Sequence, residues 1–265
     1  MKIRNFAAVA LVVALSLTGC SAASTSAKGA DDSLAAVKKA GVLTIGTEGT
    51  YRPFSFHTDG SGAITGYDVD VATAVAKKLG VTAKFEETQF DAMFAGLKAH
   101  RFAAIANQIS ITPERTAVYD FSTPYTVSQG VIVVKSDNTS ITSFASLKGK
   151  STAQSLTSNW YTLATKDGAQ IQAVEGWAQS VALVQQGRVD ATINDKLTYL
   201  DFKKQTGADG LKVAATTESS SQSAFAFTRG SATLVAAVDK ALKELSSDGT
   251  LATISKKYFG EDVSK

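Results

Sequence analysis

This sequence of 265 residues contains little cysteine and histidine and has no large excess of charge of either sign. Each of these deficits excludes a class of function. Cys20 is the one cysteine, so the chain beyond it has no thiol for a disulfide or a catalytic nucleophile. The two histidines, His57 and His100, stand 43 residues apart, which is not a metal-ligand spacing. The 27 Lys and Arg residues nearly balance 24 Asp and Glu residues, which does not indicate a nucleic-acid surface. We therefore expect no metal, no cofactor and no nucleic-acid partner.

A long apolar run is also missing. The run at residues 6–17 has 12 residues, fewer than the roughly 20 that a membrane-spanning helix needs. It follows the positive charges of Lys2 and Arg4 and ends close to a Gly-Cys pair. A charged start followed by a short apolar run predicts an export signal, which we assign to residues 1–19.

The end of this leader, LTGC at residues 17–20, resembles the lipobox of bacterial lipoproteins. The resemblance implies cleavage before Cys20 and attachment of a diacylglyceryl group, with acyl chains such as palmitate, to its thiol. Two acyl chains can hold a domain at a membrane surface. A chance thiol in an ordinary leader is the alternative. Residues 20–34 are rich in Ser, Ala, Thr and Asp, which is typical of a flexible tether.

Beyond the tether, short strand patterns alternate with helical patterns. A first series begins with a strand at residues 43–47, continues with a helix at 67–79 and reaches a strand at 102–106. A second series begins at residues 151–153 and reaches a strand at 191–193 with a similar helix, basic turn and strand. This alternation predicts an α/β fold built from two similar series.

Two continuous apolar runs, at residues 130–134 and 224–227, are typical of buried strands that cross between the two series. They predict a discontinuous first lobe, with the chain leaving it near residue 128 and returning near residue 225. We assign residues 35–128 and 226–265 to this lobe and residues 129–225 to the second. The connection would be a two-strand hinge.

Ligands of open α/β sheets lie beyond the carboxyl ends of the strands, and the residues at these positions are polar or aromatic here. The candidates are Glu48, Tyr51 and Phe54 after the first strand, Asn107, Gln108, Ser110 and Arg115 after the third, and residues 154–159, Asn194 and Asp195 in the second series.

Two of these candidates carry opposite charges on opposite lobes. A free amino acid buries its carboxylate and its ammonium only if each meets an opposite charge or hydrogen-bonding partners. Arg115 would bind the carboxylate and Asp195 the ammonium, so that binding would favour closure of the lobes. The alternatives are an exposed helical Arg115 beside Glu114 and an Asp195 that only caps a helix. Tyr51 and Phe90 could stack on the ligand or belong to the core, and Trp160 and Trp177 are assigned to the core.

Several motifs in the same order resemble the polar amino-acid class of bacterial solute-binding proteins. They are residues 46–54 (GTEGTYRPF), 66–70 (GYDVD), 110–115 (SITPER), 120–125 (DFSTPY) and 256–260 (KKYFG). The resemblance covers nearly the whole chain beyond the tether. It implies a two-lobe periplasmic-binding-protein fold of type II.

The resemblance also implies roles for individual residues. Tyr51 would stack on the ligand, Glu48 and Phe90 would shape the side-chain pocket, Ser110 and Arg115 would hold the carboxylate, Thr157 would donate from the second lobe and Asp195 would hold the ammonium.

Two shorter pieces, at residues 106–108 (ANQ) and 153–159 (AQSLTSN), are similar to the cystine-binding branch of that class. They contain Asn107, Gln108 and Ser155, which are already candidates by their position after strands, and they favour cystine as the ligand. The resemblance further implies a monomer that serves the permease subunits of an ABC importer. It would work on the extracytoplasmic side of a membrane, which it touches through its lipid anchor alone.

Two other functions remain open from the sequence. Some cyclohexadienyl dehydratases resemble this fold, and Glu48 could act as a general acid in a closed cleft. The residues offer no catalytic constellation beyond the charge pair, so we expect a protein that is not an enzyme. A lipoprotein that reports the ligand to a signalling partner would need the same binding chemistry.

Overall fold

The computed structural model of the protein describes residues 31–207 and 209–265. The predicted export signal, the lipidation site Cys20 and most of the predicted tether lie outside these residues. The described part of the chain contains fourteen strands and nine α-helices.

The strands alternate with helices along most of the chain, as the sequence predicts. The strands are β1 (Val42–Thr47), β2 (Thr50–Tyr51), β3 (Ser55–His57), β4 (Ile64–Thr65), β5 (Thr82–Glu87), β6 (Ala104–Ser110), β7 (Tyr119–Phe121), β8 (Thr126–Ser128), β9 (Gly130–Lys135), β10 (Ser151–Gln154), β11 (Gln170–Ala173), β12 (Ala191–Asp195), β13 (Leu211–Thr216) and β14 (Ser221–Thr228). The helices are α1 (Ser33–Ala40), α2 (Tyr67–Lys78), α3 (Phe90–Lys98), α4 (Pro113–Thr116), α5 (Asn159–Lys166), α6 (Trp177–Gln185), α7 (Lys196–Thr206), α8 (Ala232–Ser247) and α9 (Thr250–Phe259).

Two large sheets have the same internal order. The first runs β5-β1-β6-β14-β7, with β8 also paired to β14, and the second runs β11-β10-β12-β9-β13. Each sheet begins with three parallel strands, and the strand that comes first in the chain lies between the other two. The fourth strand of each sheet, β14 or β9, is antiparallel to its neighbour β6 or β12. The similarity of the two sequence series therefore reflects two lobes of similar topology. We call the first sheet with its helices lobe 1 and the second sheet with its helices lobe 2.

The central strands are buried on both faces because helices cover both sides of each sheet. In β9, Val131 and Val133 face one apolar cluster of lobe 2, and Ile132 and Val134 face the other. Successive side chains of a strand point to opposite faces, so a strand buried on both sides reads as a continuous apolar run. The run at residues 224–227 has the same origin in lobe 1, where Phe225 and Phe227 lie in one cluster and Ala226 in the other.

Helix α2 shows how local sequence sets these helices in place. Its apolar residues are buried against lobe 1, and the acidic Asp68 and Asp70 lie in its first turn, where the helix dipole favours negative charge. Gly66 precedes it with a φ of 134°. A Cβ at this position would lie 2.1 Å from the carbonyl oxygen of Phe54, so only glycine lets the chain pass this close.

The chain crosses between the sheets twice, and one crossing differs from the sequence-based boundary. The first lies between β8, which ends at Ser128, and β9, which begins at Gly130. The second lies between β13 and β14, at residues 217–220, whereas the sequence placed it near residue 225. Ser221 and Ser223 already pair with β8 of lobe 1. The apolar run at residues 224–227, from which the crossing was predicted, covers only the buried part of β14. The strand begins with polar residues at 221–223, which have no apolar pattern typical of a buried strand.

The end of the predicted tether also differs. Ser33 and Leu34, which the sequence placed in the tether, form the first turn of α1. Asp31 accepts a hydrogen bond from the backbone N–H of Ser33, at 3.0 Å. A composition rich in Ser, Ala and Asp is compatible with a helix start as well as with a tether, because Ser and Asp favour helix N-termini.

Replacing Gly130 by alanine tests the packing at the first crossing. A Cβ there would lie 2.4 Å from the ring of Trp160 and 3.0 Å from Thr217. We expect Gly130→Ala to lower the free energy of unfolding by about 1–3 kcal/mol, as overpacking does, and to shift the Trp emission spectrum. Urea denaturation followed by fluorescence measures both. Gly210→Ala is the matched control because a Cβ there would meet no atom of the described residues within 4 Å. Equal stability of the two variants would contradict this packing.

Candidate functional site

A small cavity lies between the lobes, beyond the carboxyl ends of the parallel strands. Lobe 1 contributes Glu48, Tyr51, Phe90, Asn107 and Gln108 to its wall. From lobe 2 come residues that include Gln154, Ser155, Trp160, Trp177 and Asn194. Its volume is about 50 Å³, well below the roughly 300 Å³ at which small-molecule pockets begin. With the lobes in this arrangement, the cavity is therefore too small for such a molecule.

Asn107 organises the wall that lobe 1 contributes. Its side-chain oxygen accepts hydrogen bonds from the hydroxyl of Thr47 (3.0 Å), the backbone N–H of Glu48 (2.9 Å) and the hydroxyl of Ser55 (3.2 Å). Its amide nitrogen donates to Oε2 of Glu48, at 2.6 Å. One amide thus joins three segments of lobe 1 and orients the Glu48 carboxylate.

Burial alters the acidity of Glu48. Loss of water raises the pKa of this carboxyl from 4.5 to about 7, and the negative charges of Asp91 and Glu175 act in the same direction. The hydrogen bond from Asn107 opposes the rise. A cationic group placed beside Glu48 would favour its ionised form, so this part of the wall suits a positively charged ligand group.

Gln108 lies beside Asn107 and is held by the buried carboxylate of Asp68. The backbone N–H of Gln108 donates to Oδ2 of Asp68 (2.7 Å), and its Nε2 donates to Oδ1 (2.6 Å). Burial raises the pKa of Asp68 to about 7. The Oε1 atom of Gln108 is buried and has no hydrogen-bond partner among the described residues. Asp68 thus fixes the amide of this wall residue and leaves its oxygen as an acceptor without a donor among the described residues.

The wall from lobe 2 includes residues beyond the ten predicted ligand residues. Gln154 ends β10, and its Nε2 is buried without a partner in the described part of the chain. It belongs to the mainly polar segment at residues 154–159 that the sequence analysis named as a candidate, although no ligand role was assigned to it. Trp160 and Trp177, which the sequence assigned to the core, also line the cavity. Trp177 belongs to the core as well as to the cavity wall. It is buried, and its ring packs edge-on against the ring of Phe202, with 5.8 Å between the ring centroids.

Direct contacts join the lobes around the cavity. The hydroxyl of Tyr51 donates to Oδ1 of Asn194 at 2.8 Å and lies 3.1 Å from the hydroxyl of Thr198. Burial raises the pKa of Tyr51 well above its usual value, so this hydroxyl keeps its proton. Arg52 lies beside it, with Nε 3.5 Å from the carboxylate of Asp201 on α7. The lobes are closed against each other at this side of the cleft.

The predicted charge pair is buried, but neither member belongs to the cavity wall. Arg115 is 9% exposed and donates to the carbonyl oxygens of Ser110 (3.0 Å) and Thr157 (3.1 Å), and burial lowers its pKa to about 10. It is therefore not the exposed helical residue of the alternative interpretation. Asp195 is 5% exposed. It caps α7 by accepting a hydrogen bond from the backbone N–H of Leu197 at 2.8 Å, which is the capping role that the alternative interpretation gave it.

Asp195 does more than cap the helix. Its Oδ1 also accepts from the hydroxyl of Ser128, at 2.7 Å, so it joins α7 to the last residue of β8, before the first crossing. Burial raises the pKa of Asp195 to about 6. The carboxylate thus lies at the hinge, next to the wall residue Asn194.

Of the ten predicted ligand residues, six line the cavity: Glu48, Tyr51, Phe90, Asn107, Gln108 and Ser155. Ser110, Arg115, Thr157 and Asp195 do not, and their contact with a ligand stays a prediction. The hydroxyl of Ser110 accepts from Ser221, and the hydroxyl of Thr157 donates to Asp91. Neither interaction could be read from the sequence, because each joins segments that are distant along the chain.

Two kinds of site are absent from the part of the chain that the structure describes. In residues 31–207 and 209–265, no three His, Cys, Asp or Glu side chains come together in a way that could hold a metal ion. Over the same residues, every helix is too short or too polar to cross a membrane.

The raised pKa of Glu48 leads to a prediction for stability. The folded protein keeps a proton on this carboxyl up to about pH 7, whereas the unfolded chain loses it near 4.5. Ionised Glu48 therefore destabilises the fold, and this cost grows as the pH rises between these values. We expect Glu48→Gln to gain stability relative to the wild type over this range, by up to about 3 kcal/mol.

Urea denaturation at several pH values measures the difference between the two proteins. Asp68 and Asp195 are present in both, so their contributions cancel. Glu218→Gln, at an exposed carboxylate near the second crossing, is the control and should run parallel to the wild type. A pH-independent difference for Glu48→Gln would show that this carboxyl does not titrate as described.

Comparisons with known proteins agree with this architecture. The family of bacterial extracellular solute-binding proteins, family 3, matches residues 43–261. The L-cystine-binding protein TcyA of Bacillus subtilis is 53% identical over 234 residues, which cover 88% of this chain and 87% of that protein.

Two solved structures show how the lobes are arranged. An ancestral arginine-binding protein bound to arginine is 34% identical, with a TM-score of 0.77 over 83% of this chain and 99% of that one. The L-cystine solute receptor of Neisseria gonorrhoeae in the unliganded open conformation is 46% identical, yet its TM-score is 0.56 over 84% of this chain and 94% of that one. The more similar sequence has the less similar shape, which agrees with the closed lobes described above.

The expected two-lobe α/β fold of type II is confirmed by these comparisons. The matched family and TcyA are solute-binding proteins and not enzymes, which also confirms the expectation that this protein is not an enzyme. The chain belongs to family 3 of the bacterial extracellular solute-binding proteins.

Proposed function

We propose that this protein captures L-cystine, or a related amino acid, in the cavity between its lobes and delivers it to an ABC importer. In this proposal Cys20 carries the lipid anchor after removal of residues 1–19, and the protein works as a monomer on the extracytoplasmic side of a membrane. The cystine-binding name of the 53% identical TcyA supports the ligand, and the matched family supports export.

One observation carries the binding proposal: each lobe brings to the cavity wall a residue with a buried polar side-chain atom that has no partner among the described residues. Among the described residues, Oε1 of Gln108 in lobe 1 lacks a donor, and Nε2 of Gln154 in lobe 2 lacks an acceptor. A buried polar atom without a partner costs about 1–3 kcal/mol. A ligand that carries both donors and acceptors would satisfy atoms of both lobes at once. An amino acid has this character.

The charges favour cystine over a simple amino acid. Cystine has an ammonium and a carboxylate at each of its two ends. Glu48 on the wall and Asp195 behind it would offer one anion for each ammonium, and the buried Arg115 would receive a carboxylate. The flat faces of Trp160 and Trp177 would cover the apolar centre of the ligand. A buried charge without such a partner is strongly unfavourable, which would make the site selective for charged ends.

Binding would involve a hinge motion. The two crossings, between β8 and β9 and between β13 and β14, are the covalent links between the lobes. Ligand would enter the open form and bring the lobes together, because wall residues on both sides contact it. The lobe boundaries that we propose are residues 128/129 and residues 217–220.

Calorimetry with the natural amino acids and L-cystine tests the function. We expect L-cystine to bind most tightly and to change the emission of the chain's two tryptophans, since both line the cavity. Small-angle scattering at saturation should show a smaller radius of gyration than in the ligand-free protein. Failure to bind any member of the panel would overturn the proposal. Tighter binding of another amino acid would leave the class in place and remove cystine.

Arg115→Ala tests the proposed carboxylate contact. Truncating one partner of a buried charged contact costs about 2–5 kcal/mol of binding, and lysine should restore only part of it because it lacks the planar fork of arginine. Titration calorimetry compares the variants after their folding has been checked by circular dichroism. Arg101→Ala, at an exposed arginine of the same lobe, should bind as the wild type does. Wild-type affinity in Arg115→Ala would remove Arg115 from the site.

A further inference from the structure

Asp91 makes a contact between the lobes that none of the ligand assignments includes. It lies in the first turn of α3, next to the wall residue Phe90, and therefore belongs to lobe 1. Its carboxylate accepts three hydrogen bonds from lobe 2. They come from the backbone N–H of Leu156 (3.1 Å), the backbone N–H of Thr157 (2.9 Å) and the hydroxyl of Thr157 (2.7 Å).

The same short segment is held from lobe 1 by a second charge. Nη2 of Arg115 donates to the carbonyl oxygen of Thr157, at 3.1 Å. An anion of lobe 1 thus binds the N–H groups of residues 156–157, and a cation of lobe 1 binds the carbonyl of residue 157. Each charge meets the backbone dipole that suits it, and hydrogen bonds to charged groups are the stronger kind.

The position of this segment connects it to the cavity. It joins the end of β10 to α5, with Gln154 and Ser155 before it and Ser158 after it, and these three residues line the cavity. Ser158 also caps α5 by accepting from the backbone N–H of Tyr161, at 3.0 Å. Holding residues 156–157 therefore fixes the adjoining part of the lobe 2 wall relative to lobe 1. Asp91 itself does not line the cavity, so it acts without touching a ligand.

The donors and the acceptor belong to different lobes, so these bonds exist only when the lobes are closed. In an open form, water would hydrate the Asp91 carboxylate and both N–H groups, and the net gain on closure is the difference between the two sets of bonds. Any free-energy term that exists only in the closed form shifts the equilibrium toward closure, and it raises the apparent affinity of a ligand that binds this form.

We propose that Asp91 is a latch: a positioning residue that stabilises the closed form and thereby sets how long the ligand stays bound. This inference rests on the proposed function for its ligand but not for its contacts. The latch acts after the ligand has entered the open cleft. Its loss should therefore speed dissociation and leave association unchanged.

Stopped-flow tryptophan fluorescence with L-cystine separates these two rates. For Asp91→Ala we expect dissociation about tenfold faster than in the wild type, with the association rate unchanged, since three charge-assisted bonds in a partly exposed place are lost. Asp91→Asn should lie between the two because its amide oxygen can still accept from Thr157. Glu261→Ala removes another exposed carboxylate from lobe 1 and should match the wild type.

The negative charge of Asp91 also acts on Glu48, so loss of charge must be separated from loss of the hydrogen bonds. Thr157→Val does this, because it removes the hydroxyl donor and leaves the carboxyl group of Asp91 in place. A latch predicts faster dissociation in Thr157→Val and a double variant with Asp91→Ala no faster than Asp91→Ala alone. Additive effects of the two substitutions would show that they do not act through a shared contact, and would overturn the latch.

Small-angle scattering tests the latch separately from the proposed function. We expect Asp91→Ala to have a larger radius of gyration than the wild type, without ligand or at equal subsaturating ligand. If the wild type binds no amino acid, the proposed function fails, and the ligand-free curves still decide on the latch. Equal dissociation rates, or equal ligand-free curves where nothing binds, would overturn it.

Discussion

The closed structure depends on one constraint: a polar group removed from water needs a partner. Strand β6 is buried along its whole length, yet it carries Asn107 and Gln108 at the edge of the cleft. Asn107 finds its partners within lobe 1, and these bonds shape the wall. Gln108, which also lines the cavity, finds only some of its partners among the described residues, and its buried Oε1 atom has none there. Each lobe therefore brings to the cavity a residue with a polar atom that lacks a partner among the described residues: Gln108 in lobe 1 and Gln154 in lobe 2.

The same constraint explains the electrostatics of the cleft. Burial raises the pKa of Glu48, Asp68 and Asp195 and lowers that of Arg115, because the loss of water disfavours a charge of either sign. These groups are therefore kept in an environment that favours their neutral forms, at some cost to stability. An oppositely charged group brought into the cleft would reverse the preference. Groups held in this way are suited to binding a charged solute.

Closure and binding share the same structural parts. The loop from β10 to α5 supplies wall residues and also the backbone that Asp91 and Arg115 hold. Tyr51 lines the cavity and bonds across the cleft to Asn194, and Asp195 links the hinge to α7. A ligand that rearranges the wall must therefore also affect the contacts that keep the lobes together. This coupling is the physical basis on which a binding event can change the shape of the molecule.

Part of the fold was accessible from the sequence because it rests on local patterns. Alternation of strand and helix and the apolar run of β9 each reflect a short-range rule. The second crossing was misplaced because the start of β14 is polar, and its membership of lobe 1 is decided by pairing with β8, about a hundred residues earlier in the chain.

For the site, the rule that ligands bind beyond strand ends selected Glu48, Asn107, Gln108 and Ser155, which line the cavity. Asn107 and Gln108 lie within β6 and not after it, because the strand continues to Ser110. The rule could not tell that Trp160 and Trp177 reach the cavity from the starts of α5 and α6, or that Asp91 bonds to residues 156–157. The sequence alone determined which residue types stand at the strand ends, because that depends on neighbours along the chain. Only the tertiary structure decided which of them face one another, because those distances are set by how two separately folded sheets meet.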